Sequence, residues 1–168
     1  MTTQKGCQSH KPTTVNDLIA AMALCRPAVT DSGATRHYIE RKHGREAMPE
    51  MHPIIVDVVK PTYGIILYQE QVIDLLRALG MEADALTSFL KAVKASNKDI
   101  GDAANVIQSF MPWIEQRCTE EGFSTHDWLW LKTAFDAFGG YSFNRAHSTI
   151  YGLTAWRCAY LAHYHPLE

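Results

Sequence analysis

A chain of 168 residues with a formal net charge of -2, 46% hydrophobic and 20% charged residues, has the size and make-up of a soluble globular domain with a real core. The charge balance excludes a global pull towards nucleic acid, so any anion site is a local patch. No apolar run reaches the roughly 18 residues that a membrane span needs, and the opening MTTQKGCQSHKPTT lacks the apolar centre of a signal peptide, which favours the cytoplasm.

Residues 1–13 are polar and without period, and read as a flexible tail ahead of a helical domain over 14–168. From Thr14, a candidate cap, Val15, Leu18, Ile19, Met22 and Ala23 mark a helix that stops at Pro27. ATRHYIERKHG predicts a short polar helix closed by Gly44. HPIIVDVV follows, and Pro61 and Gly64 break the pattern; the run Ile65 to Leu67 is too short to assign. YQEQVIDLLRALG carries Val72, Leu75, Leu76 and Leu79 on one face and ends at Gly80. EADALTSFLKAVKA turns Leu86, Phe89, Leu90 and Val93 inward. The next long segment contains Pro112, which is expected to kink or split it. Ser124 and Asp127 have capping-box spacing ahead of Trp128, Leu131, Phe135 and Phe138. A last helix is expected from about Asn144 to His163. The pattern predicts an all-α fold: one domain of about seven or eight helices.

Four cysteines, Cys7, Cys25, Cys118 and Cys158, have no metal-knuckle spacing and read as reduced thiols. The eight histidines are scattered, and His163 and His165 are too close together to share a helix face. No metal site is expected. Neither a pair of carboxylates on one face nor a nucleophile elbow is visible, so no catalytic residue is assigned.

Four stretches carry chemistry of another kind. Arg36, Arg41, Lys42 and Arg45 form the densest cationic patch, suited to a phosphate backbone or equally to a solvated face. TYGIILYQEQV places Glu70 in a helix's first turn, where an acid suits the dipole. Lys91 and Lys94 share a face, an arrangement that more often serves solubility. In GGYSFNRAHS, Ser142 or Asn144 can cap a helix whose first turns hold Arg145, His147 and Ser148. A helix N-terminus favours anions, and a cation and a histidine beside it strengthen that bias.

In order and spacing, LCRPAV, YIERKHGRE, HPII, PTYGIILYQEQV, FGGYSFNRAHSTIYGL and YLAHYHPLE resemble the fingers region of the bacterial C-family replicative DNA polymerases, the alpha subunit of DNA polymerase III. The resemblance runs from near Leu18 to Glu168. It implies a helical fingers domain that closes over the templating base and incoming nucleotide, while two magnesium ions sit on palm aspartates upstream of the matching segment. It thus implies DNA, a deoxynucleoside triphosphate and a palm-containing polymerase chain or domain as partners, with no cofactor bound by this chain alone. Lys91, Lys94, Asn144, Arg145, His147 and Ser148 would face the nucleotide, and Arg36, Arg41, Lys42 and Arg45 the DNA. Arg41, Lys91 and Arg145 are expected on one cleft.

The match departs from the family at several positions. Ala28 and Val29 stand where it has Gly-Pro, Arg145 where lysine is usual, Lys91 and Ala92 at its two arginines, and Ser96 and Asn97 at its lysine pair. This points to a divergent copy, from a phage or mobile element, or one whose polymerase role has decayed. Two other readings stay open: a non-enzymatic module of this fold that binds DNA or a replisome partner, and a helical protein-interaction domain.

Overall fold

The computed structural model describes residues 3–96, 100–140 and 143–166. Among the described residues all regular structure is helical: ten α-helices and a single 3-10 turn. The chain divides into two compact units. One comprises Met1–Met48 with Phe143–Glu168, the other Pro49–Ser142.

The first unit contains α1 (Thr3–His10), α2 (Val15–Leu24), α3 (Pro27–Asp31), α4 (Ala34–Lys42) and α10 (Arg145–Tyr164). Thr14 caps α2 as expected, through a reciprocal box in which Asp17 N–H donates to the Thr14 hydroxyl at 3.2 Å and Thr14 N–H donates to the Asp17 carboxylate at 3.0 Å. The most deeply buried positions of α2 are Asp17, Ala20, Ala21, Ala23 and Leu24; of the expected stripe only Ala23 is among them, and Val15, Leu18, Ile19 and Met22 are half-buried. Small side chains let a neighbouring helix come close, and that neighbour is α10. At the contact, Ser148 is fully buried and its hydroxyl donates to the Ile19 carbonyl at 2.7 Å. One turn later is Gly152, where an added Cβ would come within 2.8 Å of Ile19 Cγ1 and 3.0 Å of its backbone. Gly152→Ala would gain about 1 kcal/mol of helix propensity in the open. Here overpacking against backbone is expected to reverse the sign, for a net loss of about 1–3 kcal/mol in urea unfolding.

The stretch read as a loose tail contains α1, whose last residue, His10, is buried. Neither α1 nor α3 carries an amphipathic run long enough to be seen from sequence, which accounts for the low expected number of helices.

The second unit contains α5 (Pro53–Val59), the 3-10 turn (Lys60–Thr62), α6 (Gln69–Ala78), α7 (Ala83–Ser96), α8 (Ile100–Glu120) and α9 (Thr125–Gly140). Its core joins Ile55 and Val59, the α6 face Val72, Leu75, Leu76 and Leu79, Phe89, Ile107, Ile114, Leu131 and Phe135. The α6 face is the one its spacing predicts, and Gly80 ends the helix at φ 87°. Pro112 does not split α8, which runs from Ile100 to Glu120. Its ring is on the exposed side, where water can satisfy the carbonyl left without a partner, while Ile107, Met111, Ile114 and Cys118 hold the other face in the core. Ile65 to Leu67 are irregular.

Two polar side chains act as structural clamps in this unit, one of them in the YQEQV stretch. The Gln71 amide is buried: its oxygen accepts from Leu67 N–H and Tyr68 N–H at 2.8 and 3.0 Å, and its nitrogen donates to the Thr62 hydroxyl at 2.7 Å and the Val58 carbonyl at 3.2 Å. His52 caps α5, accepting from Ile54 N–H, and stacks on Phe123 with centroids 4.1 Å apart. Its own N–H donates to Asp127 at 2.7 Å, tying the start of α5 to the capping box of α9. Burial alone would raise the Asp127 carboxyl; donors from Ser124 and His52 outweigh it and hold the group below its ordinary value.

Candidate functional site

The cations of α4 do not form a bare patch. Arg36 is exposed. Arg41 donates through Nε to Glu46 at 2.8 Å, and His37 shares that carboxylate at 2.8 Å. The bond from His37 first, and then that from Arg41, draws the Glu46 carboxyl below its usual value. Arg45 grips Glu40 with two bonds of 2.7 and 2.8 Å on the exposed side.

Lys42 is different in kind. Its side chain is 8% exposed and all three ammonium protons have acceptors: Asp17 Oδ2 at 3.1 Å, the His10 carbonyl at 3.1 Å and the Lys11 carbonyl at 3.2 Å. Asp17 also accepts from Thr13 N–H at 2.8 Å and the Thr13 hydroxyl at 3.0 Å. Burial pushes this carboxyl up, but the donors from Thr13, Lys42 and Thr14 outweigh burial and hold it far below the ordinary range. Against it lies His10, whose Nε2 meets the Asp17 carbonyl at 3.0 Å. Burial, and next the Lys42 charge, keep its imidazole neutral by lowering its pKa. Lys42, expected to face DNA, therefore binds the N-terminal segment into the unit, with each ammonium proton engaged there.

At the start of α10 the outcome is mixed. Asn144 is the cap, its side-chain oxygen accepting from His147 N–H at 3.0 Å. Asn144, Arg145 and His147 are all exposed. The His147 ring lies between Phe143 and Tyr151, with centroids 5.5 and 4.5 Å away, and Arg26 covers the Phe143 ring at 4.9 Å. Ser148, also expected to face a nucleotide, is fully buried, and its hydroxyl donates to the Ile19 carbonyl in the α2 contact.

Lys91 is exposed on α7. The Lys94 side chain and those of Ala92 and Ser96, and Asn97 as a whole, lie outside the described residues. Arg41 and Arg145 belong to the first unit and Lys91 to the second. Among the described residues no three His, Cys, Asp or Glu side chains gather as a metal site. No described helix is long and apolar enough to cross a membrane.

Sequence reading passed over Glu46 and Asp17. For Glu46 a signal existed, because Gly44 at φ 69° reverses the chain and returns position 46 to the helix it has just left. For Asp17 none did, since 25 positions separate it from Lys42.

Among the described residues, fold and site define a helical module that presents exposed cations and a long helix whose N-terminus is capped by Asn144. Residues 1–112 match the family described as the bacterial DNA polymerase III alpha subunit finger domain. Curated relatives bear the name DNA polymerase III subunit alpha. That of Aquifex aeolicus is 33% identical over 159 residues, 94% of this chain and 13% of its own length. That of Pseudomonas aeruginosa is 33% identical over 161 residues, 93% of this chain and 13% of the relative. That of Escherichia coli K12 is 31% identical over 163 residues, 94% and 14%. The chain belongs to the bacterial DNA polymerase III alpha subunit finger domain family, and spans 13–14% of the length of these relatives.

Proposed function

We propose that this chain acts as the fingers of a C-family DNA polymerase, holding the incoming nucleoside triphosphate and the DNA while a palm-containing polypeptide supplies the Mg2+-binding carboxylates. The observation that carries the reading is the start of α10. A 20-residue helix opens with exposed Asn144, Arg145 and His147, in a chain of the finger domain family. The first-turn N–H groups and the dipole at such an end favour a polyphosphate. Arg145 adds a fixed charge and His147 a donor held by flanking rings. Lys91, exposed on α7, and Lys94 are the second unit's own candidates for contact with the nucleotide. Arg36 is the α4 cation best disposed to meet a phosphate backbone; Arg41 and Arg45 would do so only by sharing with Glu46 and Glu40. Phosphoryl transfer depends mainly on placement and charge neutralisation, so a domain that only positions still governs rate.

Titration with primed template DNA at two salt concentrations is the first test. Phosphate contacts release counterions, so affinity is expected to fall as salt rises. Combined with a palm-containing chain, the wild type is expected to support primer extension. Arg145→Ala and His147→Ala together are expected to raise the apparent KM for nucleotide by roughly tenfold or more, the loss of one or two charge-assisted bonds. Extension that is unchanged in the triple variant Lys91→Ala, Arg145→Ala, His147→Ala would overturn the proposal.

A further inference from the structure

The His147 ring is exposed, yet side chains from both segments of the first unit stand in a row that ends on it. Phe143 meets it edge-on, with centroids 5.5 Å apart and planes at 79°. Tyr151, four residues along α10, approaches it to 4.5 Å. The Arg26 guanidinium lies over the Phe143 ring at 4.9 Å. Arg26, from the segment that follows α2, is therefore linked to His147 through one aromatic ring.

The members of the row are not equally anchored. Tyr151 belongs to the stretch of α10 that Ser148 and Gly152 hold against α2. Phe143 precedes the cap residue Asn144 and has no helical backbone of its own. An apolar residue in that place usually packs on the fourth helical position, closing a hydrophobic staple. Here the fourth position is Ser148, whose hydroxyl donates to the Ile19 carbonyl, so Phe143 lacks the usual apolar partner. Arg26 takes that part. Its backbone is fixed, because its carbonyl accepts from Val29 N–H at 3.1 Å, from Thr30 N–H at 3.0 Å and from the Thr30 hydroxyl at 3.1 Å. A guanidinium is drawn to a ring face by the ring's quadrupole, more strongly when partly removed from water, and Arg26 is half-buried. An exposed histidine with no such neighbours samples several rotamers, and ordering it on a ligand costs affinity. A ring held beforehand avoids part of that cost.

We propose that Arg26 is a positioning residue for the nucleotide site: acting through Phe143, it holds the His147 imidazole in the orientation in which it meets a triphosphate. The proposal rests on reading Arg145 and His147 as side chains that hold the incoming nucleotide. It deepens that reading by adding a cation that works without touching the ligand.

The test begins with the 168-residue chain carrying 13C-labelled histidine, in which the ring C–H resonances of His147 are identified by their loss in His147→Gln. Neighbouring rings displace these resonances from their unfolded-chain positions. Substitutions at position 26 keep the carbonyl that Val29 and Thr30 bond, because it is backbone. Arg26→Gln retains the reach of the side chain without its charge, and is expected to move both His147 resonances to where Phe143→Leu puts them. Arg26→Lys retains a cation for the ring and is expected to keep them near the wild-type positions. All variants are compared below their melting temperatures, so that the resonances report the folded state. Resonances of Arg26→Gln that coincide with the wild type, or of Arg26→Lys that coincide with Phe143→Leu, overturn the proposal. Primer extension with a palm-containing chain reads the consequence. Arg26→Gln is expected to raise the apparent KM for nucleotide roughly two- to tenfold, the cost of ordering one side chain on binding instead of before it. The kcat is expected to stay nearly unchanged and Arg26→Lys to restore KM. In a His147→Ala background Arg26→Gln is expected to raise KM no further, because residues that act through one another are not additive. An equal further rise there shows Arg26 acting on its own and overturns the proposal. The two readings fail separately. A KM unmoved by His147→Ala sinks the nucleotide role of that residue, whereas a KM raised by His147→Ala and unmoved by Arg26→Gln sinks the positioning role alone.

Discussion

Lys42→Met is expected to destabilise the first unit by about 3–5 kcal/mol, the range for breaking one side of a buried ion pair. The substitution preserves the length of the stem but removes the charge from the 8%-exposed side chain, leaving Asp17 buried with only Thr13 and Thr14 as donors and the carbonyls of His10 and Lys11 without one. Urea unfolding followed by circular dichroism measures the loss. Acid titration separates its parts. Asp17 has a depressed folded-state pKa, so its contribution is complete above its unfolded value near 4 and fades as pH falls through the folded value below it. His10, also lowered, favours the folded state when neutral, so its contribution fades earlier, as pH falls below about 6.5. Both slopes run towards lower stability in acid. Asp17→Asn is expected to abolish the lower one, while Lys42→Met is expected to move His10 back towards its ordinary titration. A wild-type stability that stays flat from neutral pH to pH 3 would refute this account.

Gln71→Leu is the second substitution with a large expected effect. It fills nearly the same space but strands Leu67 N–H and Tyr68 N–H, both hydrogen-bonded to the buried amide oxygen. At about 1–3 kcal/mol for each unsatisfied donor, the loss is about 2–6 kcal/mol. Gln71→Glu keeps the acceptor for both N–H groups and loses the amide nitrogen's bonds to Thr62, Val58 and Ile65, so it is expected to fall between the wild type and the leucine variant. Chemical denaturation ranks the three. If leucine and glutamate cost the same, the amide oxygen is not what holds the 60s loop.

These two side chains also mark what a single sequence can say. Periodicity was enough for an all-α fold, for the inward face of α6, for the cap at Thr14 and for the capping box at Ser124, because helix geometry relates residues three or four apart. Relations across the chain are invisible to it. Ser148 meets Ile19 across 129 positions, His52 meets Asp127 across 75, and Lys42 meets Asp17 across 25. Polar residues engaged in such bonds have the same composition as polar residues waiting for a ligand. Thus YQEQV and the serine of FNRAHS look like chemistry when read along the chain, and in space prove to be joints. Arg36, Lys91, Arg145 and His147, by contrast, are exposed.

The joint at Ser148 has a mechanical corollary. Arg145 is three residues before it and His147 one, so both side chains project from the same helical turn that is bolted to the Ile19 carbonyl. With Gly152 removing any spacer from the next turn, α2 and the head of α10 share one frame of reference. A cation mounted that close to a pinned point has almost no lever arm, so thermal wobble further along α10 is not amplified at its charged tip.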